Sequence, residues 1–510
     1  MTRIANNAAN SHLQSLIMRT QERVNTAQTQ MATEKVSQDY TGLSQDTRRL
    51  LSLENARVAA NQFKKGNDLM KLRLDIADTA LESIDTTVRD FRAALLDQGG
   101  NDPLDQDQVR DMQTYAFRAL QEMESALNAK ADGQYVFSGS RVRTEPVDFG
   151  LTTLEDFQAR FDGRLNAYPD SRDAHLADFS LDPGGNWLTF EQSATAPAKI
   201  RVSASTAEVL AMTAGTRIDL AGTPTGTYDG TFSVRSVGTD GTGTYIEVEE
   251  ERFFDEGPLQ ADIELADGTA LDFGDMGNLT FDGTADTVTA AIPDAFAGVA
   301  VGTVFTVSGT TSNDGVFEVT ANDGTTMTIQ THKLPDSATV AVAGTLSSQS
   351  YYHGDQISRS HRIDENQSFS LDIDGVDPAF EKAIRAMAMI AQGAYGTTGG
   401  LEHHADRIGE AIDLLSSALD PAAAANAQLQ GELSGNLGDV RAVIGFNQVA
   451  ANEASTRQSE FIANLEMQIA DIENVDTFEA AAQLLAHSNT LEASYQALAR
   501  IQQLSLSNFL

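Results

Sequence analysis

Apolar residues near the start of the chain fall at Leu13, Ile17, Thr20, Val24, Ala27 and Met31, steps of alternately four and three. That spacing keeps one face of a helix apolar and predicts an amphipathic helix built to pair with another. Turn formers in "SQDYTGLSQD" (37–46) break the pattern. A longer run then follows: Leu53, Ala56, Ala60, Phe63, Asn67, Met70, Leu74, Ala77, Leu81, Ile84, Val88, Phe91 and Leu95. Its one polar member, Asn67, is expected to fix the register of a helical seam. "DQGGNDP" (97–103) ends this helix, and a third uses Val109, Met112, Ala116, Leu120, Met123 and Leu127, with a stop expected near Gly133. "QYVFSGS" (134–140) reads as a strand entering a turn.

From about 150 the pattern changes to short alternating runs such as "TFSVRSV" and "YIEVEE", separated by Gly, Thr and Asp. Period-two runs between turn formers predict strands. The region also repeats itself. "GNWLTF" (185–190) matches "GNLTF" (277–281), and 214–248 matches 301–329 around a shared Asp-Gly turn. Two copies of one β-module are expected, at about 185–265 and 277–345. Helical spacing returns at 374–392, where Asp377 and Pro378 form a cap followed by Phe380, Ile384, Met387 and Ala391. A further seam runs through Leu437, Val440, Ile444, Asn447, Ala451, Ala454, Gln458, Phe461, Leu465, Gln468 and Ile472. The final helix carries Leu484, Leu491, Tyr495, Leu498, Ile501 and Leu504.

Seams at opposite chain ends are satisfied most simply by each other. The expected fold is therefore α+β and multidomain: an elongated coiled-coil helical bundle of paired N- and C-terminal segments, with an inserted all-β outer region of two repeated modules. The expected domains are a terminal helical assembly domain (1–45 and 477–510), a helical rod with a small β element (46–150 and 374–476) and the β-rich insertion (151–373). Leu13, Ile17, Val24 and Met31 are expected to face the final helix. Leu53, Phe63, Met70, Leu74, Leu81, Ile84 and Phe91 are expected to face Leu437, Ile444, Phe461 and Leu465.

Charge sharpens this division. The chain has a formal net charge of −38. Residues 1–130 hold 16 basic against 18 acidic side chains, 131–376 hold 13 against 38, and 377–510 hold 6 against 17. The acidic middle reads as a solvated surface, while the near-neutral N-terminal part can pack against copies of itself at little Coulomb cost. The overall acidity argues against nucleic acid or an anionic membrane as partner. There is no cysteine, so no disulfide, thiol nucleophile or Cys-ligated metal. No cleavable signal and no membrane span is expected.

Candidate chemistry is thin. "HHADRIGE" (403–410) places His403, Asp406 and Glu410 near one helical face, but adjacent histidines diverge and no further ligand converges. "DIDGVD" (372–377) has its glycine at the fourth position of a would-be calcium loop rather than the sixth. No nucleotide or hydrolase motif stands in context. Neither an enzyme nor a cofactor is expected.

Several stretches resemble the bacterial flagellin superfamily. "LEASYQALARIQQLSLSNFL" (491–510) looks like its C-terminal helix, and 444–476 like the long helix and acidic turn before it. Within the superfamily, "DGQYVFSGSRVRTEPVD" (132–148), with Tyr135, Phe137, Ser138 and Gly139, is similar to the hook–filament junction proteins, the third class of hook-associated protein. "YYHGD" (351–355), leading into 369–387, is similar to their return from an outer domain to the helical core. Filament flagellins carry a Leu-Ser-Ser-Gly stretch in their first hundred residues, where this chain has "QMATEKVSQDYTGLSQDTRRLLSLENA" (30–56). Junction proteins often have Thr-Gly-Lys, where this chain has Thr33-Glu34-Lys35.

The resemblance implies a structural, non-enzymatic component of the flagellum, outside the cell. It implies export through the flagellar type III channel without a cleaved signal, and assembly with itself, with other hook-associated proteins and with flagellin. It also implies an export chaperone on the C-terminal helix. The alternatives are a flagellin of the filament itself and, in another class, a surface adhesin acting through the β-modules.

Overall fold

A computed structural model describes residues 2–43, 46–98, 106–150, 152–334, 338–393, 400–401, 406–420 and 432–507, leaving aside the side chains of 2–10, 98, 338–339 and 501–507. Its helices are α1 (Thr2–Thr33), α2 (Thr47–Gln98), α3 (Gln106–Leu127), α4 (Leu154–Arg160), α5 (Arg172–His175), α6 (Thr206–Leu210), α7 (Phe273–Met276), α8 (Pro378–Ala391), α9 (Asp406–Leu419), α10 (Leu437–Glu473) and α11 (Thr477–Ser507). The fold is α+β: long helices toward both ends and an all-antiparallel β region between them.

The chain divides into two compact units, and the division runs through α2 and α10. The first unit comprises Met1–Lys71, Arg362–Phe369 and Val449–Leu510; the second comprises Leu72–His361 and Ser370–Gln448. In the first unit α1 packs along α11. The turns beside them are tied together: Val36 N–H donates to Glu473 O (2.7 Å), Val475 N–H donates to Glu34 O (3.0 Å), and Lys35 pairs with Glu473 at 2.9 Å. The end of α1 thus lies beside the start of α11, and the two helices run antiparallel.

In the second unit every seam position of α2 from Leu74 to Leu95 is buried. Full burial of one such Leu or Phe stabilises by about 1.5–3 kcal/mol. Helix α8 lies at the centre, against α3, α4, α5 and α9. Asp377 caps it by accepting from Ala379 N–H (2.9 Å), with Pro378 at the first helical position. The amphipathic stripe expected for α8 understates its burial, for Ala379 through Ala391 are all buried, polar side chains included. Helix α3 ends at Leu127 rather than near Gly133. Asp132 and Gly133, both at positive φ, instead form the tight turn joining β1 (Lys130–Ala131) and β2 (Gln134–Tyr135). The strand read over 134–140 is thereby cut to two residues.

The β region forms two eight-stranded sheets. The chain supplies β3 (Phe179–Leu181), β4 (Leu188–Glu191), β5 (Lys199–Val202), β6 (Arg217–Ala221), β7 (Gly230–Asp240) and β8 (Gly243–Val248) to the first. It then supplies β9 (Glu256–Leu259), β10 (Asp262–Leu265), β11 (Ala270–Leu271), β12 (Leu279–Asp282), β13 (Thr287–Ala290), β14 (Val304–Ser308), β15 (Gly315–Asn322) and β16 (Thr326–Ile329) to the second. Finally β17 (Ala338–Val342) and β18 (Thr345–Ser348) return to the first.

Neighbour order in the first sheet is β17-β4-β5-β8-β7-β6-β18-β3, and in the second β9-β12-β13-β16-β15-β14-β10-β11. The two orders correspond strand for strand. In each sheet two strands joined by two residues bond to opposite sides of a five-strand run. β17 joins β4 while β18 joins β6, and β9 joins β12 while β10 joins β14. That pairing closes each sheet on itself, and each encloses its own apolar core.

These closing strands correct the expected module limits. Residues 256–265, assigned to the first copy, complete the second sheet; 338–348, of which 338–345 was assigned to the second copy, complete the first. The second barrel is therefore inserted within the first. Similar residues mark only the shared run, β4–β8 against β12–β16, whereas a closing pair belongs to whichever edge it hydrogen-bonds.

Candidate assembly helices and motif junction

The paired terminal helices bury little. Ile17, Val24 and Ala27 of α1 are buried, and Leu13 is half-buried. On α11 Leu484, Leu491 and Leu498 are half-buried, together with Ala481, His487 and Ser494. Two expected contact residues lie elsewhere: Met31 and Tyr495 are both exposed. Heptad spacing allows either Ser494 or Tyr495 between Leu491 and Leu498, and the structure turns Ser494 toward α1's side. Ile501 and Leu504 lie in α11, outside the residues whose side chains are described. The faces turned away from the pairing remain apolar: Leu16, Met18 (66% exposed), Leu485 (65%) and Phe478 (88%) stand in solvent.

The inner seam of the same unit is tighter. Met70, Leu465 and Ala60 are buried, and Leu53 and Phe63 half-buried. Phe461 is half-exposed, against the expectation of a seam residue, and borders a groove lined by Ala56, Ala60 and Phe63. Asn67 is fully buried and has a different role from register-setting between helices. Its Nδ2 donates to the main-chain oxygen of Ile363 at 3.1 Å. In the second unit Leu74, Leu81, Ile84, Phe91, Leu437 and Ile444 are all buried, and Asn447 similarly donates to Ser370 O at 3.3 Å.

Three sequence motifs meet in the second unit. Phe137 is fully buried, edge-on to Phe380 at 5.7 Å. Its carbonyl accepts from the Tyr352 hydroxyl (3.2 Å) and from Gly375 N–H (2.9 Å). Ser138 O accepts from Asp355 N–H (3.2 Å), and the Asp355 carboxylate accepts from Ser140 N–H and Oγ–H, both at 2.6 Å. Gly139 has φ +63°, and a β-carbon there would sit 1.8 Å from Asp355 O. Only glycine fits both the backbone and the space. Tyr135 is half-buried under the Lys130 ammonium. The Tyr351 hydroxyl donates to Gly375 O (3.0 Å), while Asp148 N–H and His353 N–H join the two strands at Tyr351 O and Pro146 O. "YVFSG", "YYHGD" and "DIDGVDP" are thus one interlock, the first lying more than two hundred residues before the other two. Burial at this junction pushes the Asp374 carboxyl up to about 6.

Beside it lies a buried polar network with no sequence motif. Glu381 on α8 is inaccessible; its carboxylate lies 2.7 Å from His175 Nδ1, 3.0 Å from Arg385 Nε and 3.6 Å from Arg172. Arg385 also pairs with Glu432 at 2.7 Å. Tyr168 Oη lies 2.8 Å from His175 Nε2. Burial lowers the His175 pKa despite the carboxylate beside it, so the ring is neutral, with Nδ1–H donating to Glu381 and Nε2 accepting from Tyr168. Burial acts to raise the Glu381 pKa, but His175 and the two arginines hold it below its ordinary value. The Lys382 ammonium donates to Ser417 Oγ (3.0 Å) and Gly435 O (3.2 Å). Each charged group of this network has a polar partner within it. Of "HHADRIGE", His403 lies outside the described residues; Arg407 donates to Gly163 O. Among the described residues no cluster of three potential metal ligands occurs, and no helix is long and apolar enough to cross a membrane.

Known proteins can be set beside this geometry. Residues 428–510, which contain α10 and α11, match the family model described as the bacterial flagellin C-terminal helical region. No curated protein matches the chain in sequence. Among solved structures, FlgL from Xanthomonas campestris aligns with 12% identity and a TM-score of 0.26, over 82% of this chain and 99% of that one. The flagellar hook associated protein-3 from Legionella pneumophila aligns with 10% identity and a TM-score of 0.29, over 82% and 98%. The flagellar junction protein FlgL from Legionella pneumophila gives 12% and 0.24, over 80% and 97%. Scores in this range leave the argument to the chain's own residues.

Proposed function

We propose that this protein is a structural component of the bacterial flagellum that assembles with copies of itself through the helices of its first unit. The observation that carries the proposal is the coincidence of two features on α11. It lies within the segment matching the flagellin C-terminal helical region, and it exposes large apolar side chains away from its partner α1. An apolar face of this kind on paired helices is an interface in search of a second surface. The acidic barrels, residues 179–348 with 24 acidic against 6 basic side chains, keep an assembled surface soluble.

Within the flagellum we place the protein at the hook–filament junction. The interlock of "YVFSG" and "YYHGD", the motifs that resemble junction proteins, supports that position. Its neighbours there are flagellin and other hook-associated proteins, and before export a chaperone covers the C-terminal helix. The route out is the flagellar channel, with no reaction catalysed. The flagellin description of the matched region favours one second reading, a subunit of the filament itself.

Labelling the protein on intact flagella separates the readings. Label confined to the hook tip is the expected result. Label along the filament, at thousands of copies, replaces the junction by the filament reading. Absence from flagella overturns both.

A further inference from the structure

One cavity borders the interlock at Asp148, Tyr351 and His353. It opens between the end of the first barrel and the α4–α5 stretch, within the second unit, and has a volume of about 120 Å³. Its walls are aromatic. Phe157 and Phe161 pack at 5.1 Å between ring centres, Phe161 and Tyr168 at 4.8 Å, and Tyr351 completes the lining. The Tyr168–His175 pair closes the inner end.

The polar groups at this cavity are unevenly signed. The Arg160 and Arg217 guanidinium groups lie 5.3 and 5.6 Å from the centre of the Phe161 ring. Arg217 lines the cavity and is held in place through Nη2, which donates to Asp219 (3.0 Å) and Thr231 (3.3 Å). The acid at the rim, Asp148, already accepts from Gly150 N–H at 2.7 Å. Two cations at an aromatic pocket stand out in a chain of net charge −38.

The geometry points to a binding site for a small flat ring bearing a carboxylate, with the ring between the aromatic side chains and the carboxylate on the Arg217 and Arg160 guanidinium groups that line the cavity. A closed apolar cavity of roughly 150 Å³ holds benzene, so a single ring matches this space, with the charged end at the open side. Charge-assisted hydrogen bonds from two guanidinium groups supply the preference for an anion. This site is independent of the flagellar role and survives its failure.

The test uses the full-length chain and benzoate, followed by saturation-transfer NMR and calorimetry. Benzoate is expected to bind saturably, and benzyl alcohol, its neutral counterpart, about tenfold more weakly or worse. Arg217→Gln is expected to lower benzoate affinity by about tenfold with an unchanged near-ultraviolet circular dichroism spectrum. Because Arg217 also anchors Asp219, the exposed Arg160→Gln serves as the second variant, with a smaller loss expected. Equal binding of benzyl alcohol, no benzoate binding at millimolar concentration, or wild-type affinity in both variants overturns the proposal. So does binding of glucuronate in place of benzoate, which would make the ring a sugar.

Discussion

Helices α8 and α11 solve opposite problems. Every residue of α8 from Ala379 to Ala391 is buried, although three carry charge, because Arg172, His175, Ser417 and Glu432 meet those charges within the same unit. Helix α11 likewise carries three charged residues, Glu479, Glu492 and Arg500, with a conventional apolar seam, yet among its described side chains only Ala480 is buried, and Leu485 and Phe478 face solvent. The contrast teaches that burial here follows the partners a helix finds, not its number of charges. Helix α8 is completed by its own chain. Helix α11 has one partner in the chain and an apolar face left over.

The largest effect expected from breaking this contrast is at Glu381. Glu381→Gln keeps the volume but leaves Arg172 without its counter-charge and Arg385 with Glu432 alone, and should cost about 3–5 kcal/mol in urea unfolding. A loss below about 1 kcal/mol would show that the network is not what holds α8 in place.

Gly139→Ala comes next. The positive φ and the contact with Asp355 O cannot both be kept, so a destabilisation of about 2–3 kcal/mol is expected, with loss of the 138–355 pairing in hydrogen exchange. Unchanged protection of Asp355 N–H would mean the interlock adapts, and the motif is not held by its glycine.

A pH effect should follow from Glu251. This residue is buried; it pairs with Arg164, which also donates to Val316 O of the second barrel. Burial pushes its carboxyl up to about 7, against an ordinary value of 4.5. The folded chain therefore holds this proton more tightly than the unfolded chain. Its contribution is full below about pH 4.5 and is lost as pH rises through 7, by on the order of 2 kcal/mol. Asp374, raised to about 6, acts in the same sense. Glu251→Gln should flatten the decline between pH 5 and 7 in thermal melts, and an unchanged slope would reject the burial argument.

The smallest effect on the isolated chain is expected at the outer face of α11. Leu485→Asp should change monomer stability by no more than about 0.5 kcal/mol, since the side chain is already in water. The same variant should fail to assemble on flagella. Normal assembly with Leu485→Asp would place the subunit contacts on another face.

The long helices were legible because their period is local. From Leu74 to Leu95 the three-four spacing picked out side chains that are all buried, and Asp377-Pro378 marked the start of α8. The same spacing misplaced Met31, Phe461 and Tyr495. A heptad pattern says which face is apolar, not which of two neighbouring positions finds a partner. Asn67 and Asn447 were visible as polar seam entries, but their acceptors, the carbonyls of Ile363 and Ser370, lie in a distant segment. Nothing along the chain marked His175 as the partner of Glu381.

The sequence by itself determined the α+β division, the repeated five-strand run and the three motifs of the interlock, because spacing, turn chemistry and similarity are properties of neighbours in the chain. Only the tertiary structure decided that the second barrel sits within the first, that three motifs form one knot, and that a charged helix is the most buried of all. Those outcomes depend on which distant edge, carbonyl or counter-charge arrives, and a buried polar group is stable only once its partner is in place.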